Sequence, residues 1–195
     1  MKLLFIAIVL SSSVVHATSP SVVDLSVFEK PLSEKKVALK KMSDKNMKFY
    51  LLSTIVRDYS SLELTVAVTK EAKSFSKSLL EMVKGYEKDW NYGNAIHHGN
   101  LVLGRVALYE GNLKAAKEYL ILATKTSGSP QLHSFGPNMT LAKELLEKGE
   151  KSAVLSYLDA CLLFWTTRRA KGIVDAWKSS IDRGEVPDFG ANLEF

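Results

Sequence analysis

The chain has a single cysteine, Cys161, so no disulfide can form within it and packing and hydrogen bonds must hold the fold. It also lacks the H-E-x-x-H spacing that sets two histidines one helical turn apart for zinc. The adjacent pair His97-His98 does not replace that spacing, because neighbouring residues on a helix point about 100° apart. No basic run is interleaved with aromatic residues. Lys35-Lys36, Lys40-Lys41 and Arg168-Arg169 are pairs set between apolar positions, as on solvated helix faces, which argues against nucleic acid as a partner. Asp188-Phe189-Gly190 spells a kinase magnesium motif, but the glycine-rich loop, lysine strand and catalytic loop that give it meaning are missing. No segment reads as a strand.

The first segment sets the expected compartment. Lys2 precedes the apolar run LLFIAIVL, and Val15 and Ala17 stand where a signal peptidase needs small residues, before Thr18. A membrane anchor needs about 20 apolar residues. This run is broken by Ser11, Ser12, Ser13 and His16, and no cysteine lies near the cut to carry a lipid. Residues 1–17 therefore read as a cleaved export signal, with a periplasmic or secreted product that keeps no stable membrane anchor. The remaining 178 residues, 18–195, suffice for one domain with its own core. Losing Lys2 takes lysine plus arginine from 26 to 25 against 21 acidic residues, a mild excess of four positive charges.

Periodicity predicts an all-α chain. After a weakly periodic leader from Thr18 to Pro31, capped segments start at Ser33, ending near Met42, and at Ser43-Asp44, running through Tyr59. Ser61 to Tyr86 places Leu62, Val66, Ala72, Phe75, Leu79 and Val83 at the 3.6-residue period of an amphipathic helix. Further helices are expected over Tyr92 to Glu110, Leu113 to Thr124, Pro137 to Lys148, Lys151 to Thr166 and Ala170 to Asp182, with Gly149 and Gly184 as stop signals. Cys161, among apolar neighbours, reads as a small core residue.

Within this pattern Leu103, Gly104, Gly111, Ala116, Leu120 and Ala123 have the spacing of two short helices packed face to face. Gly104 and Ala116 let the helices approach closely, Gly111 supplies a left-handed cap, and Asn112 caps the next helix. This stretch resembles a tetratricopeptide repeat, with Asn100 and Ala107 where that family carries large aromatic residues. A fainter copy follows in Leu141-Ala142, Leu145, Gly149, Val154, Leu158 and Cys161, offset by 38 residues from Gly104 to Ala142. The family period is about 34 residues, so the surplus falls in the loop 128–137. The clearest units span about 97–130 and 135–168, and the expected architecture is a short solenoid of antiparallel helical hairpins resembling that family, flanked by divergent repeats or caps.

The resemblance implies a non-catalytic module that binds a protein or peptide and needs no cofactor. It places the partner on the first helix of each unit, which carries His98, Leu101, Arg105 and Tyr109 from the first copy and Met139 and Lys143 from the second. Arg105 and Lys143 would then hold a carboxylate or backbone carbonyls. Trp90-Asn91-Tyr92-Gly93-Asn94 reads either as a helix start, with asparagines as caps and aromatics in the core, or as a recognition edge containing Asn94. Two other functions are open: a small-molecule or metal-dependent activity around His97, His98 and His133, and a secreted structural or inhibitory factor whose tail from Pro187 to Phe195 inserts into a partner. Asn138-Met139-Thr140 fits an N-glycosylation acceptor, with a helix cap as the alternative.

Overall fold

Local capping chemistry sets the starts of four helices. Asp44, Thr65, Asn112 and Ser129 each accept a hydrogen bond from the backbone N–H three residues on, at 2.8, 3.3, 3.0 and 3.0 Å. The computed structural model describes residues 25–194, and the expected signal at 1–17 and the start of the leader lie outside them. The described residues are all-α: α1 (Leu32–Lys41), α2 (Lys45–Tyr59), α3 (Val66–Met82), α4 (Tyr92–Tyr109), α5 (Leu113–Leu122), α6 (Pro130–Phe135), α7 (Thr140–Glu147), α8 (Lys151–Cys161) and α9 (Ala170–Asp182). Short 3₁₀ turns cover Leu25–Glu29, Val83–Gly85 and Gly190–Leu193. No described helix is long and apolar enough to cross a membrane.

Consecutive helices pack on one another, α1 on α2, α2 on α3, α3 on α4, α4 on α5, α7 on α8 and α8 on α9, while α4 also packs on α2 and α7 and α5 on α8. Gly111 takes the left-handed conformation, φ 78°, that reverses the chain between α4 and α5. A side chain at Gly104 would meet Leu141 Cδ2 at 2.3 Å and the Ala116 carbonyl oxygen at 3.4 Å, so the missing side chain brings α4 against both α5 and α7.

Several expected boundaries shift, each for a visible reason. Helix α1 begins at Leu32 without a side-chain cap, and Ser33 falls in its first turn. Residues 61–65 are not helical: the carbonyls of Tyr59, Ser60 and Leu62 turn to the Arg105 guanidinium, and Thr65 caps a later start. Helix α7 begins at Thr140, because Asn138 Oδ1 accepts the Thr140 N–H and holds the chain before it out of the helix. Helix α8 ends at Cys161, well before Thr166. Helix α6 occupies part of the stretch read as loop.

Fourteen of the eighteen residues of α4 are buried, which makes it the central element. Ala95, Val102 and Val106 belong to a core shared with α2 and α3, whereas Leu101 and Ala107 belong to a second core with α5, α7, α8 and α9. One helix thus forms the wall between two apolar layers.

The glycines of α4 and α9 supply a paired test. A Cβ on Gly93 would stand 2.0 Å from the Gly128 carbonyl oxygen, a backbone atom with nowhere to go. Gly93→Ala is expected to lose about 3 kcal/mol or more in urea unfolding, overriding a helix-propensity gain of about 1 kcal/mol. Gly172 in α9 has nothing within 4 Å of its Cβ position, so Gly172→Ala should gain about 0.5–1 kcal/mol. Equal effects at the two sites would contradict this packing.

Candidate functional site

A helix buried on nearly every side must find partners for its polar side chains, because an unpaired buried polar group costs about 1–3 kcal/mol. Arg105, 7% exposed, meets this demand with five hydrogen bonds. Its Nη1 donates to the carbonyls of Tyr59, Ser60 and Leu62 at 3.2, 2.9 and 3.0 Å, and Nε and Nη2 donate to Glu144 Oε1 at 2.9 and 2.6 Å. The guanidinium therefore closes the C-terminal end of α2 and ties it to α7. His97 is fully buried, with Nδ1 3.1 Å from the Ala123 carbonyl and Nε2 accepting the Asn138 N–H at 3.0 Å. Those partners set a neutral ring with its proton on Nδ1. Burial lowers its pKa to about 4.

Near the start of α4, Asn94 ties the helix to α6. Ser129 Oγ accepts the Leu132 N–H as the α6 cap and lies 2.6 Å from Asn94 Oδ1, the length of an O–H···O bond. With the serine hydroxyl as donor, the Asn94 amide nitrogen faces the Asn91 and Gln131 carbonyl oxygens at 2.9 and 3.0 Å. Both carbonyl oxygens are thus spent on Asn94, and Asn91 is itself buried, 5% exposed.

These residues border a cleft of about 210 Å³ between α2, α4 and α6, lined by Ser53, Arg57, Trp90, Asn91, Asn94, His98, Gln131 and Phe135 among others. Among the described residues no aspartate or glutamate lines it. Arg57 is half exposed and reaches only Asp58, at 3.8 Å, while Asp58 pairs with Lys35 at 2.6 Å. His98, 6% exposed, has its Nδ1 buried without a partner. Burial, and then the neighbouring His97 and Arg57, push its pKa well down. A proton on Nδ1 would be stranded, which favours the neutral ring with its proton on Nε2 and leaves Nδ1 as a buried acceptor without a partner. Trp90 and Phe135 leave about half their surfaces exposed at this cleft, and Tyr50 props the Trp90 ring at 5.3 Å.

The seven residues expected on one recognition face fall in separate places. Asn94 and His98 line the cleft. Leu101 and Met139 are fully buried in the core, so neither can face a partner, and Arg105 is consumed by α2 and Glu144. Tyr109 lies about 22 Å further along α4 from Asn94, half exposed beside Lys70, Lys73 and Lys77 of α3. Lys143 is on the surface, paired with Glu147. The α4 axis turns one side of the expected face into core and staples. Missed residues are Arg57, Gln131 and Phe135, while Trp90, Asn91 and Asn94 belong to the cluster read from the sequence, although Asn91 makes no side-chain cap at the start of α4.

Other expected features also find roles. His133 Nδ1 is 2.9 Å from the Thr166 hydroxyl, far in function from His97, whose two nitrogens are both engaged. Among the described residues no three His, Cys, Asp or Glu side chains are grouped to hold a metal. Cys161 is buried, and burial pushes its thiol pKa up. Asn138 is buried, 1% exposed, with Oδ1 accepting the Thr140 N–H, and Met139, not Asn138, is the cap position of α7. The tail docks on its own fold: Phe189 is buried edge-on to Trp177, and Asn192 bonds the Phe135 and Pro137 carbonyls and the Met139 N–H. This corrects the reading of a tail free to enter a partner. No protein family, curated protein or solved structure matches the chain.

The buried groups of α4 yield two expected outcomes. Arg105→Met keeps much of the stem but strands Glu144 and three carbonyls, and should cost about 3–5 kcal/mol by urea unfolding; a loss below about 1 kcal/mol would refute the staple. For His97 the folded pKa of about 4 lies below the ordinary 6.5, so the unfolded chain binds the extra proton. Stability is then complete above pH 6.5 and falls as pH drops toward 4, by about 2 kcal/mol at pH 5 from His97 alone, with His98 adding in the same direction. Unfolding midpoints that stay flat from pH 7.5 to 5 would contradict it.

Proposed function

We propose that this chain is an exported, non-catalytic binding module, released by removal of residues 1–17 and acting in the periplasm or outside the cell on a protein or peptide partner. The paired helices and the close approach at Gly104 support its kinship in architecture with tetratricopeptide-like arrays. The observation that carries the reading is the cleft between α2, α4 and α6, where two half-exposed aromatics stand beside Arg57. Interfaces are enriched in Trp, Tyr, Phe and Arg, and anchor residues seat in such pockets.

Binding fits this cleft better than catalysis does. A nucleophile there would be Ser53 or Thr54; Thr54 donates to the Tyr50 carbonyl, and Ser53 makes no hydrogen bond with His98. His98 in turn has no carboxylate on Nδ1 to orient it. Both links of a nucleophile, base and carboxylate relay are unmade. The alternative of a metal-dependent activity loses support for the same reason that His97 is spent on the backbone.

A photo-crosslinking residue in place of Trp90 or Phe135 tests the reading, with Leu163, 80% exposed and away from the cleft, as control. The expected result from the native envelope or secreted fraction is one discrete protein adduct from positions 90 and 135 and none from 163. Adducts equal at all three positions, or at none, would contradict it.

A further inference from the structure

A second surface lies at the other end of α4. A groove of about 490 Å³ runs between α3 and the last turn of α4, lined by Val66, Lys70, Lys73, Lys77, Tyr109 and Glu110 among others. Lys70, Lys73 and Lys77 stand three, four and seven residues apart, so the helix carries them on one face, with about 10 Å of rise between the outer two. Like charges at that spacing repel one another. Lys73 is relieved by Glu110, whose two carboxylate oxygens accept its Nζ at 2.8 Å each. Lys70 and Lys77, both exposed, have no acidic partner among the described residues. Glu71, next to Lys70 in the chain, is spent on Lys36 and Tyr59.

The same groove offers apolar surface. Val66, one turn before Lys70, is 79% exposed, and Tyr109 is 47% exposed. An occupant that covers both features needs carboxylates spread over about 10 Å and an apolar side chain within the same reach. An exposed lysine–carboxylate pair is weak on its own. A small acid therefore gains little here, whereas several pairs carried on one chain add to the burial of an apolar anchor. A bilayer would meet this groove poorly, because Glu110, its side chain nearly half exposed on the wall, would face anionic headgroups.

We propose that the α3–α4 groove docks an acidic segment of a partner protein, with its carboxylates on Lys70 and Lys77 and an apolar side chain between Val66 and Tyr109. The groove shares no lining residue with the α2–α4–α6 cleft, and Tyr109 lies about 22 Å along α4 from Asn94. The proposal therefore stands apart from what the cleft binds. Lys73 stays with Glu110 and keeps the wall in place, while Lys70 and Lys77 hold nothing within the described fold, so their charges can be reversed without breaking a structural bond.

Fluorescence anisotropy of a labelled, end-blocked peptide of repeated Glu-Glu-Leu tests this on the mature chain, beside Gln-Gln-Leu and Glu-Glu-Ser counterparts. Salt is held at about 0.1 M, where exposed charges more than about 10 Å apart are largely screened. The Glu-Glu-Leu peptide is expected to bind with Kd below roughly 1 mM, and each counterpart at least about fivefold more weakly. Lys70→Glu with Lys77→Glu should weaken it at least about tenfold with the urea midpoint unchanged. The same charge change at two exposed lysines outside the groove, Lys125→Glu with Lys148→Glu, should cost less than about threefold. Equal binding by the Gln-Gln-Leu peptide, equal losses in the two double variants, or no binding at all would overturn the proposal. Equal binding by the Glu-Glu-Ser peptide would overturn the apolar anchor. Citrate, or vesicles of phosphatidylglycerol and phosphatidylcholine, displacing the label at lower concentration than unlabelled peptide would overturn a protein segment as the occupant. A failed cross-link at Trp90 and Phe135 counts against the cleft alone.

Discussion

The burial of α4 is the constraint on which the rest of the structure depends. A helix walled in by two apolar layers has to dispose of Arg105, His97 and Asn94 inside the protein, and each does so by reaching a backbone or amide from another element. Arg105 ends α2, His97 joins the end of α5 to the chain entering α7, and Asn94 holds α6. The apolar layers supply most of the favourable energy. The polar staples select which helix end sits where, because any other arrangement would strand buried donors and acceptors.

The cleft follows from the same accounting. Once Ser129 caps α6, its hydroxyl proton is directed at Asn94, and the orientation of three successive amides is decided. These bonds consume the carbonyl oxygens of Asn91 and Gln131. His98, one residue beyond the His97 staple, is turned about 100° away and so lines the cleft rather than the core. A cleft thus arises beside a set of buried bonds, with the half-exposed Trp90 and Phe135 in its lining.

Much of the helical layout is legible in the chain because its signals are local. The apolar period, the Asp44 and Asn112 caps and the left-handed Gly111 act within a few residues, and the close contact across Gly104 follows from a small residue facing another helix. Helix α6 was hidden because a six-residue helix has no periodicity to detect; Ser129 followed by Pro130 was the available start signal. The site was harder to read. Arg105 on a helix face looks the same whether it meets a partner or the end of α2, and the deciding contacts lie 43 to 46 residues away. The family pattern put Leu101 and Met139 on an open face, but Leu101 lies on the enclosed α4 and Met139, at the start of α7, is buried in the same core. The cleft joins residues 53–57, 90–98 and 131–136, a juxtaposition that only the packing of α2 and α6 on α4 creates.

The most direct measurement is long-range nitrogen–proton correlation of the imidazole rings at pH 6, which reads charge and tautomer at each histidine. The account predicts His97 neutral with its proton on Nδ1, and His98 neutral with its proton on Nε2, facing the cleft. A charged His97, or a proton on its Nε2, would break the α4 staple, and a proton on His98 Nδ1 would contradict the burial of that atom without a partner.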